Sequence, residues 1–139
     1  FPKEKWVELI GQMGEKVLLL GGPDDHMLCE EVRQASSPEQ VTNLAGKLSF
    51  LQSAALMSKS KMNYVNDSAP LHMASAMNAP VTAFFCSTIP QFGFGPLSDD
   101  SRVVQTSKLL DCRPCGLHGH AKCPQGHFKC ALQIDLKKL

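Results

Sequence analysis

The stretch Tyr64-Val-Asn-Asp-Ser-Ala-Pro-Leu-His72 decides the fold, because it predicts a strand that passes directly into a helix. Pro70 suits the first helical turn, where the missing N–H has no intrahelical partner to lose. Apolar residues then recur at helical spacing, at Leu71, Ala74 and Met77. The stretch is therefore one strand-to-helix unit of an α/β protein.

Further strand and helix candidates alternate on both sides of this unit. The predicted strands are Lys16–Leu20, Val41–Leu44, Met62–Asn66, Val81–Phe85 and, more weakly, Arg102–Thr106. Helices are predicted to begin at Pro2, at Asp24-Asp25 and at Ser49. Strands that alternate with helices imply a parallel sheet with right-handed crossovers.

Burial expectations follow from the same pattern. The apolar run Lys16–Leu20 predicts a strand buried on both faces. Leu28 and Val32 are expected to point inward from the second helix, and Met77 from the helix after Pro70. Ser49 and Gln52 have the spacing of a capping box, in which each side chain satisfies a free backbone donor.

Length and composition indicate one ordinary globular domain. The chain has 139 residues, 43% of them hydrophobic and 19% charged. A formal net charge of +1 argues against a nucleic-acid partner. No apolar run approaches the roughly 18 residues that span a bilayer, so we expect a soluble, non-transmembrane domain. Because the chain begins with Phe1, we expect it to be part of a longer protein.

The segment Asp67–His72 is a candidate anion site. In open parallel sheets, ligands collect where strand ends meet helix starts, because free amides and the helix dipole favour negative charge. Asp67 ends the strand, Ser68 and Ala69 form a small turn, and His72 lies in the first helical turn. From spacing alone an alternative stays open: Asp67 or Ser68 simply caps the helix, and His72 is a surface imidazole.

The segment Asn66-Asp-Ser-Ala-Pro-Leu-His-Met-Ala74 resembles the Asp-Ser/Thr-Gly-x-x-His signature of glycosyltransferase family 9, the ADP-heptose:lipopolysaccharide heptosyltransferases. The segments 18–23, 43–49 and 79–85 follow the order and spacing of that family's C-terminal domain. The resemblance implies the GT-B architecture, in which two Rossmann-like domains face each other. Residues 1–139 would be the nucleotide-sugar-binding C-terminal domain, with 110–139 as a Cys-rich tail and the N-terminal acceptor domain absent from this chain.

The resemblance also implies roles for individual residues. The diphosphate of the donor would be bound by Ser68, Ala69 and His72, with Asp67 shaping the turn and approaching the sugar. His72 and Asp67 are thus the catalytic candidates. Two weaker matches place Asp24 near the ribose, with Asp25 as a substitute, and Leu48 against the base or ribose. Each has a structural alternative, as a helix cap for Asp24 and an ordinary core residue for Leu48.

The function implied is transfer of a heptose, or a similar sugar, from an ADP-sugar to a lipopolysaccharide core precursor. The family's catalytic base and most of its acceptor site belong to the N-terminal domain, so this chain alone is expected to be inactive. We expect no tightly bound cofactor, and a cytoplasmic location at the inner membrane. The family's glycine is Ala69 here, which disfavours a left-handed backbone.

The tail from about Leu110 is rich in cysteine and histidine. Its cysteines are Cys112, Cys115, Cys123 and Cys130, with His118, His120 and His127 between them. A Cys-x-x-Cys followed by two soft ligands suits a structural zinc ion. Free thiols and disulfides are the open alternatives. Cys29 and Cys86 are predicted to be plain core residues.

A second function stays open on the sequence. The chain is then a non-catalytic α/β binding module whose zinc-stapled tail contacts a protein partner. The loop Ser87–Pro96 also has two interpretations: Phe92 and Phe94 either face the missing domain or tuck under the loop.

Overall fold

A computed structural model of the chain describes residues 1–120, 122–137 and 139. The chain divides into two compact units. One is Pro2–Ser53, and the other is Ala54–Leu139 together with Phe1. Each unit contains a parallel sheet with helices beside it, which confirms the α/β class.

The unit Pro2–Ser53 contains a two-stranded parallel sheet. Its elements are α1 (Lys3–Ile10), β1 (Val17–Leu19), a 3-10 turn (Pro23–Asp25), α2 (His26–Ala35) and β2 (Val41–Asn43). Val17 of β1 lies opposite Val41 of β2. Ile10, Val32 and Val41 form a buried cluster, against which Trp6, Val7, Val17 and Leu19 pack. Apolar residues from both helices thus cover the sheet.

Two burial expectations in this unit are wrong. Leu18 is 40% exposed whereas Val17 and Leu19 pack against the core, so β1 is covered on one face only. Leu28 is 49% exposed, whereas Val32 is 4% exposed as predicted. Leu28 lies in the first turn of α2, next to the 3-10 turn, and the core is reached only further along the helix.

The predicted capping box at Ser49 is confirmed. The Ser49 backbone N–H donates to Gln52 Oε1 (2.8 Å), and the Gln52 N–H donates to Ser49 Oγ (3.3 Å). These bonds satisfy two donors that the helix itself cannot pair. The helix that follows, α3, spans Phe50–Met57.

The second unit is built on a three-stranded parallel sheet of order β3-β4-β5. Its elements after α3 are β3 (Asn63–Asn66), α4 (Ala69–Ala76), β4 (Val81–Phe84), a 3-10 turn (Pro90–Phe92), β5 (Ser101–Val104) and α5 (Lys129–Leu132). The central strand β4 is buried along its whole length, which explains why its sequence is apolar apart from Thr82. The five predicted strands are therefore all present.

The helix α4 buries two of its three predicted apolar residues. Leu71 and Ala74 have no exposed surface, whereas Met77 is 42% exposed. Met77 follows the last residue of α4, so it has left the helix face that packs on the sheet. The expectation for Met77 is therefore wrong.

The tail contributes to the core, which its composition did not indicate. Cys130, Ala131, Ile134 and Leu136 are each at most 4% exposed. Among residues 1–120, 122–137 and 139, no helix is both long and apolar enough to cross a membrane.

Candidate functional site

The helix α4 begins at Ala69 without a side-chain cap. Ser68 occupies the N-cap position with an extended backbone (φ −163°, ψ −177°), and its side chain makes no capping hydrogen bond. Its hydroxyl donates instead to the Asn66 carbonyl oxygen (3.4 Å). Ser68 and Ala69 are exposed. Since the first amides of a helix lack intrahelical acceptors, this start can bind an anion.

Asp67 is held by contacts to the neighbouring strand and its loop. Its backbone N–H donates to the Phe84 carbonyl oxygen (3.3 Å) at the end of β4. Its carboxylate accepts a hydrogen bond from the hydroxyl of Thr88, which is 7% exposed. Asp67 therefore fixes the turn between β3 and α4, and it does not cap the helix.

Ala69 adopts an ordinary right-handed backbone. It is the first residue of α4, and the non-glycine residues with positive φ among those described are Asn78 and Phe128. The absence of glycine at this position therefore causes no strain at the turn.

His72 is exposed in the first turn of α4 and lies beside an aromatic ring. Its imidazole meets the Phe94 ring edge-on, with 6.4 Å between centroids and 72° between planes. Phe94 is 41% exposed and lies 6.4 Å from the His118 ring. The interpretation that Phe94 packs beneath the loop Ser87–Pro96 is therefore wrong. Phe92 is half-buried.

Asp24 and Asp25, both in the 3-10 turn of the unit Pro2–Ser53, have different surroundings. Asp25 Oδ2 accepts a hydrogen bond from the Gly22 N–H (2.8 Å). Gly21 permits this approach, because a Cβ there would lie 2.7 Å from the Asp25 Cβ. Asp24 is exposed in the 3-10 turn. Asp25 thus stabilises the turn, and Asp24 is the acid that a ligand could reach.

The loop that carries Leu48 packs against the turn that carries Asp24. The Gly46 N–H donates to the Gly21 carbonyl oxygen (3.0 Å). Gly46 has φ +75°, and a Cβ there would lie 3.0 Å from the Pro23 Cα, so both close approach and backbone favour glycine. Leu48 is half-buried. The structure therefore brings these two predicted loops together within one unit.

A buried amide supports that pair of loops. Asn43 is 5% exposed, donates to the His26 carbonyl oxygen (3.1 Å) and accepts from the Ala45 N–H (3.0 Å). It joins the end of β2 to the start of α2. These hydrogen bonds fix the positions of the loop after β2 and of the turn before α2.

Sequence reasoning missed Thr88 and Arg113 at the site. The Arg113 guanidinium donates to the carbonyl oxygens of Cys86 (2.7 Å) and Thr88 (2.8 Å) and to Gln105 Oε1 (2.7 Å). It thus fixes the loop that presents Thr88 to Asp67. No local pattern indicates these roles, because Thr88 is 21 residues from Asp67 in the chain.

The structure does not support zinc in the tail. Within the described part of the chain, no group of three or more His, Cys, Asp or Glu side chains is placed to hold a metal ion. The six cysteines are free thiols. Cys29 and Cys86 are half-buried rather than fully buried. Burial raises the pKa of Cys86 to about 11, which keeps this thiol protonated and inert at neutral pH.

Parallel sheets, flanking helices and an uncapped helix start at the carboxyl end of a strand define a Rossmann-like α/β protein. A profile described as "Glycosyltransferase family 9 (heptosyltransferase)" matches residues 1–120. The chain therefore belongs to glycosyltransferase family 9, which confirms the resemblance carried by its sequence.

Similar proteins bear heptosyltransferase names. Lipooligosaccharide heptosyltransferase 2 of Haemophilus influenzae is 34% identical over 105 residues, covering 73% of this chain and 30% of that protein. Lipopolysaccharide heptosyltransferase 2 of Escherichia coli K12 is 33% identical over 111 residues, covering 76% and 32%. This chain thus spans about a third of the length of these relatives.

A solved structure shows the same fold. The structure of E. coli ADP-heptose lps heptosyltransferase II superposes with a TM-score of 0.71 at 31% identity. The match covers 82% of this chain and 38% of that one. Membership of the family and the α/β fold are thus supported by sequence and by structure.

Proposed function

We propose that this chain is the donor-binding domain of a glycosyltransferase that moves a heptose, or a similar sugar, from an ADP-sugar to a lipopolysaccharide core precursor. The observation that carries the proposal is the uncapped start of α4 at Ser68 and Ala69. Family membership supplies the reaction class, because the similar proteins are named heptosyltransferases.

The diphosphate of the donor binds at this helix start. Ser68 and Ala69 are exposed residues, and the uncapped amides of the helix start and the positive end of the helix dipole favour an anion there. His72, one turn further on, adds a donor from its imidazole. The Ser68 hydroxyl makes a long bond of 3.4 Å to the Asn66 carbonyl oxygen, so it can turn to a phosphate oxygen at little cost.

Catalysis by these residues is stabilisation of the leaving group. Displacement at the anomeric carbon builds negative charge on the departing diphosphate, and fixed N–H donors stabilise that charge without reorganising. His72 donates to the departing phosphate. Asp67, fixed by Thr88, shapes the turn and lies toward the sugar.

The nucleoside is bound by the other predicted residues. Asp24 approaches the ribose hydroxyls, and Leu48 packs on the ribose or base. Support comes from the exposure of Asp24 and from the hydrogen bond that joins the two loops at Gly21 and Gly46.

The chain as a whole, residues 1–139, is the C-terminal half of a GT-B enzyme, with 110–139 as its tail. The acceptor site and the catalytic base belong to an N-terminal domain that lies outside residues 1–139. Since the acceptor is a lipopolysaccharide precursor, the enzyme works in the cytoplasm, peripheral to the inner membrane.

Titration of the isotope-labelled chain with ADP tests this proposal. We expect the amide NMR signals of Ser68, Ala69 and His72 to shift in a saturable way. His72→Ala should weaken ADP binding by at least about tenfold, since a hydrogen bond to a charged group contributes about 1.5 kcal/mol or more.

His120→Ala is the matched control, because His120 is an exposed histidine of the tail. It should bind ADP as the unmodified chain does. Shifts confined to the tail, or an equal loss of affinity in both variants, would contradict the assignment of the site.

A further inference from the structure

The four cysteines of the tail do not all line the same cavity. Cys115, Cys123 and Cys130 line one cavity of about 60 Å³, together with His120 and Lys122. Cys112 lines a different recess, where its sulfur lies 3.9 Å from the Nε2 atom of His127. Three thiols thus share one cavity, and within the described part of the chain no group of three or more His, Cys, Asp or Glu side chains is placed to hold a metal ion, so the shared thiols favour sulfur chemistry.

The three thiols of this cavity have different surroundings. The Cys123 sulfur accepts a hydrogen bond from the Phe128 N–H (3.4 Å), and Lys122 lines the same cavity. Amides of the turn that follows, Phe128 first, lower the pKa of Cys123. By contrast, burial raises the pKa of Cys115 and of Cys130. Cys123 is therefore the thiol that most readily becomes the nucleophilic thiolate.

Cys115 is the better placed partner of Cys123. Cys130 is 4% exposed and lies at the start of the core segment of the tail, whereas Cys115 is half-buried. Cys115 lies in a loop that is fixed by its N–H bond to the Ser87 carbonyl oxygen (2.8 Å). Its thiol donates to the nearby Cys112 carbonyl oxygen (2.9 Å), a contact it can leave by rotation.

We propose that Cys123 and Cys115 form a thiol–disulfide exchange site, with Cys123 as the attacking thiol and Cys115 as the resolving thiol. The substrate class is a low-molecular-weight disulfide such as glutathione disulfide. This proposal does not depend on the proposed function.

The exchange proceeds in two balanced steps. The Cys123 thiolate attacks one sulfur of the small disulfide, its S–S bond breaks, and one small thiolate leaves and takes up a proton. The Cys115 thiol then loses its proton, and its sulfur attacks Cys123, releasing the second small thiol. Two protein thiols are oxidised to one disulfide, and one small disulfide is reduced to two thiols.

Thiol mapping of the reduced chain by mass spectrometry tests the proposal. With limiting iodoacetamide at neutral pH, we expect Cys123 to be alkylated at least about tenfold faster than Cys29 or Cys86, because its thiolate is stabilised. With glutathione disulfide, peptide maps should show a single new bond, joining Cys115 to Cys123.

Variants separate the two steps. Cys115→Ser should stop at one glutathione bound to Cys123, and Cys123→Ser should form neither product. Cys29→Ser, which changes a thiol of the other unit, should behave as the unmodified chain does.

Three results would overturn the proposal, and each is measured on the unmodified chain. They are alkylation of Cys123 no faster than that of Cys29, a disulfide that joins other cysteines, and stoichiometric zinc that shields all four tail thiols until a chelator is added.

Discussion

Alanine occupies residue 69, where the family signature has glycine. Because Ala69 has helical backbone angles, glycine offers no conformational advantage there. We expect Ala69→Gly to leave ADP affinity unchanged and to lower the free energy of unfolding by up to about 1 kcal/mol, through the greater flexibility of the unfolded chain. Calorimetric titration and urea unfolding measure the two quantities.

Ala76→Gly is the matched control for that change, at the exposed last residue of the same helix. It should destabilise the chain by a similar amount and also leave ADP binding intact. A clear gain in ADP affinity in Ala69→Gly alone would show that the turn needs a left-handed residue.

The Thr88 hydroxyl, in the loop after β4, donates a hydrogen bond to the Asp67 carboxylate. Thr88→Val keeps the shape of the side chain and removes the donor. We expect the free energy of unfolding to fall by about 2 kcal/mol, the range for a hydrogen bond to a charged group. ADP binding should weaken as well, because Asp67 no longer fixes the turn.

Thr88→Ser retains the hydroxyl and is the control for this substitution. It should keep ADP affinity, and its loss of stability should reflect only the missing methyl group. Equal ADP affinity in Thr88→Val and the unmodified chain would remove Asp67 from the proposed site.

The local part of the site could be predicted from the sequence, and the tertiary part could not. Asp67, Ser68 and His72 are close in the chain, so one strand-to-helix pattern was enough to place them together. Thr88 reaches Asp67 only because β3 pairs with β4. Arg113 reaches the loop of Thr88 only because the tail packs against that loop. Side chains that meet through strand register leave no pattern in a single sequence.

At the scale of elements, the alternation of strand and helix patterns predicted all five strands, but it predicted burial less well. A run such as Val17–Leu19 has the same composition whether one or both of its faces are covered, and only the elements packed on each face decide its exposure. The helix α5 was missed because Lys129–Leu132 is four residues long and its burial depends on contacts distant in sequence.

Glu30 joins α2 to β2 through charged hydrogen bonds. It accepts from Arg33 Nη2 (2.6 Å) and from Asn43 Nδ2 (3.3 Å). These bonds lower the pKa of Glu30 from its ordinary 4.5 to about 2, with Arg33 the main cause. Because the folded pKa lies below the unfolded one, the stabilisation is fully present above about pH 4.5 and is lost as the pH falls through about 2.

We therefore expect Glu30→Gln to be less stable than the unmodified chain at pH 6, with a difference that shrinks toward pH 2. Chemical unfolding at a series of pH values measures this difference. Glu31→Gln is the control, since Glu31 pairs with Lys3 in an exposed salt bridge that contributes little. A difference for Glu30→Gln that is constant with pH would show that charge is not its cause.

At the scale of the whole molecule, the proposed diphosphate contacts lie within one compact unit. Ser68 and His72 both belong to the unit that begins at Ala54. Inorganic diphosphate should therefore shift the amide signals of Ser68–His72, as ADP does.

The 139-residue chain covers about a third of its heptosyltransferase relatives, so binding and transfer should be separable in it. Transfer needs an acceptor positioned beside the anomeric carbon and a base to remove its proton, and proximity of this kind supplies much of the rate. In the proposed function, the acceptor site and the catalytic base both belong to the N-terminal domain. We expect the chain to bind ADP. We do not expect it to convert ADP-heptose to ADP when a lipopolysaccharide acceptor is added. Joining it to the N-terminal domain of a relative should restore this conversion, and His72→Ala should then reduce it. Transfer by the 139 residues alone would show instead that the base and the acceptor site lie within this chain.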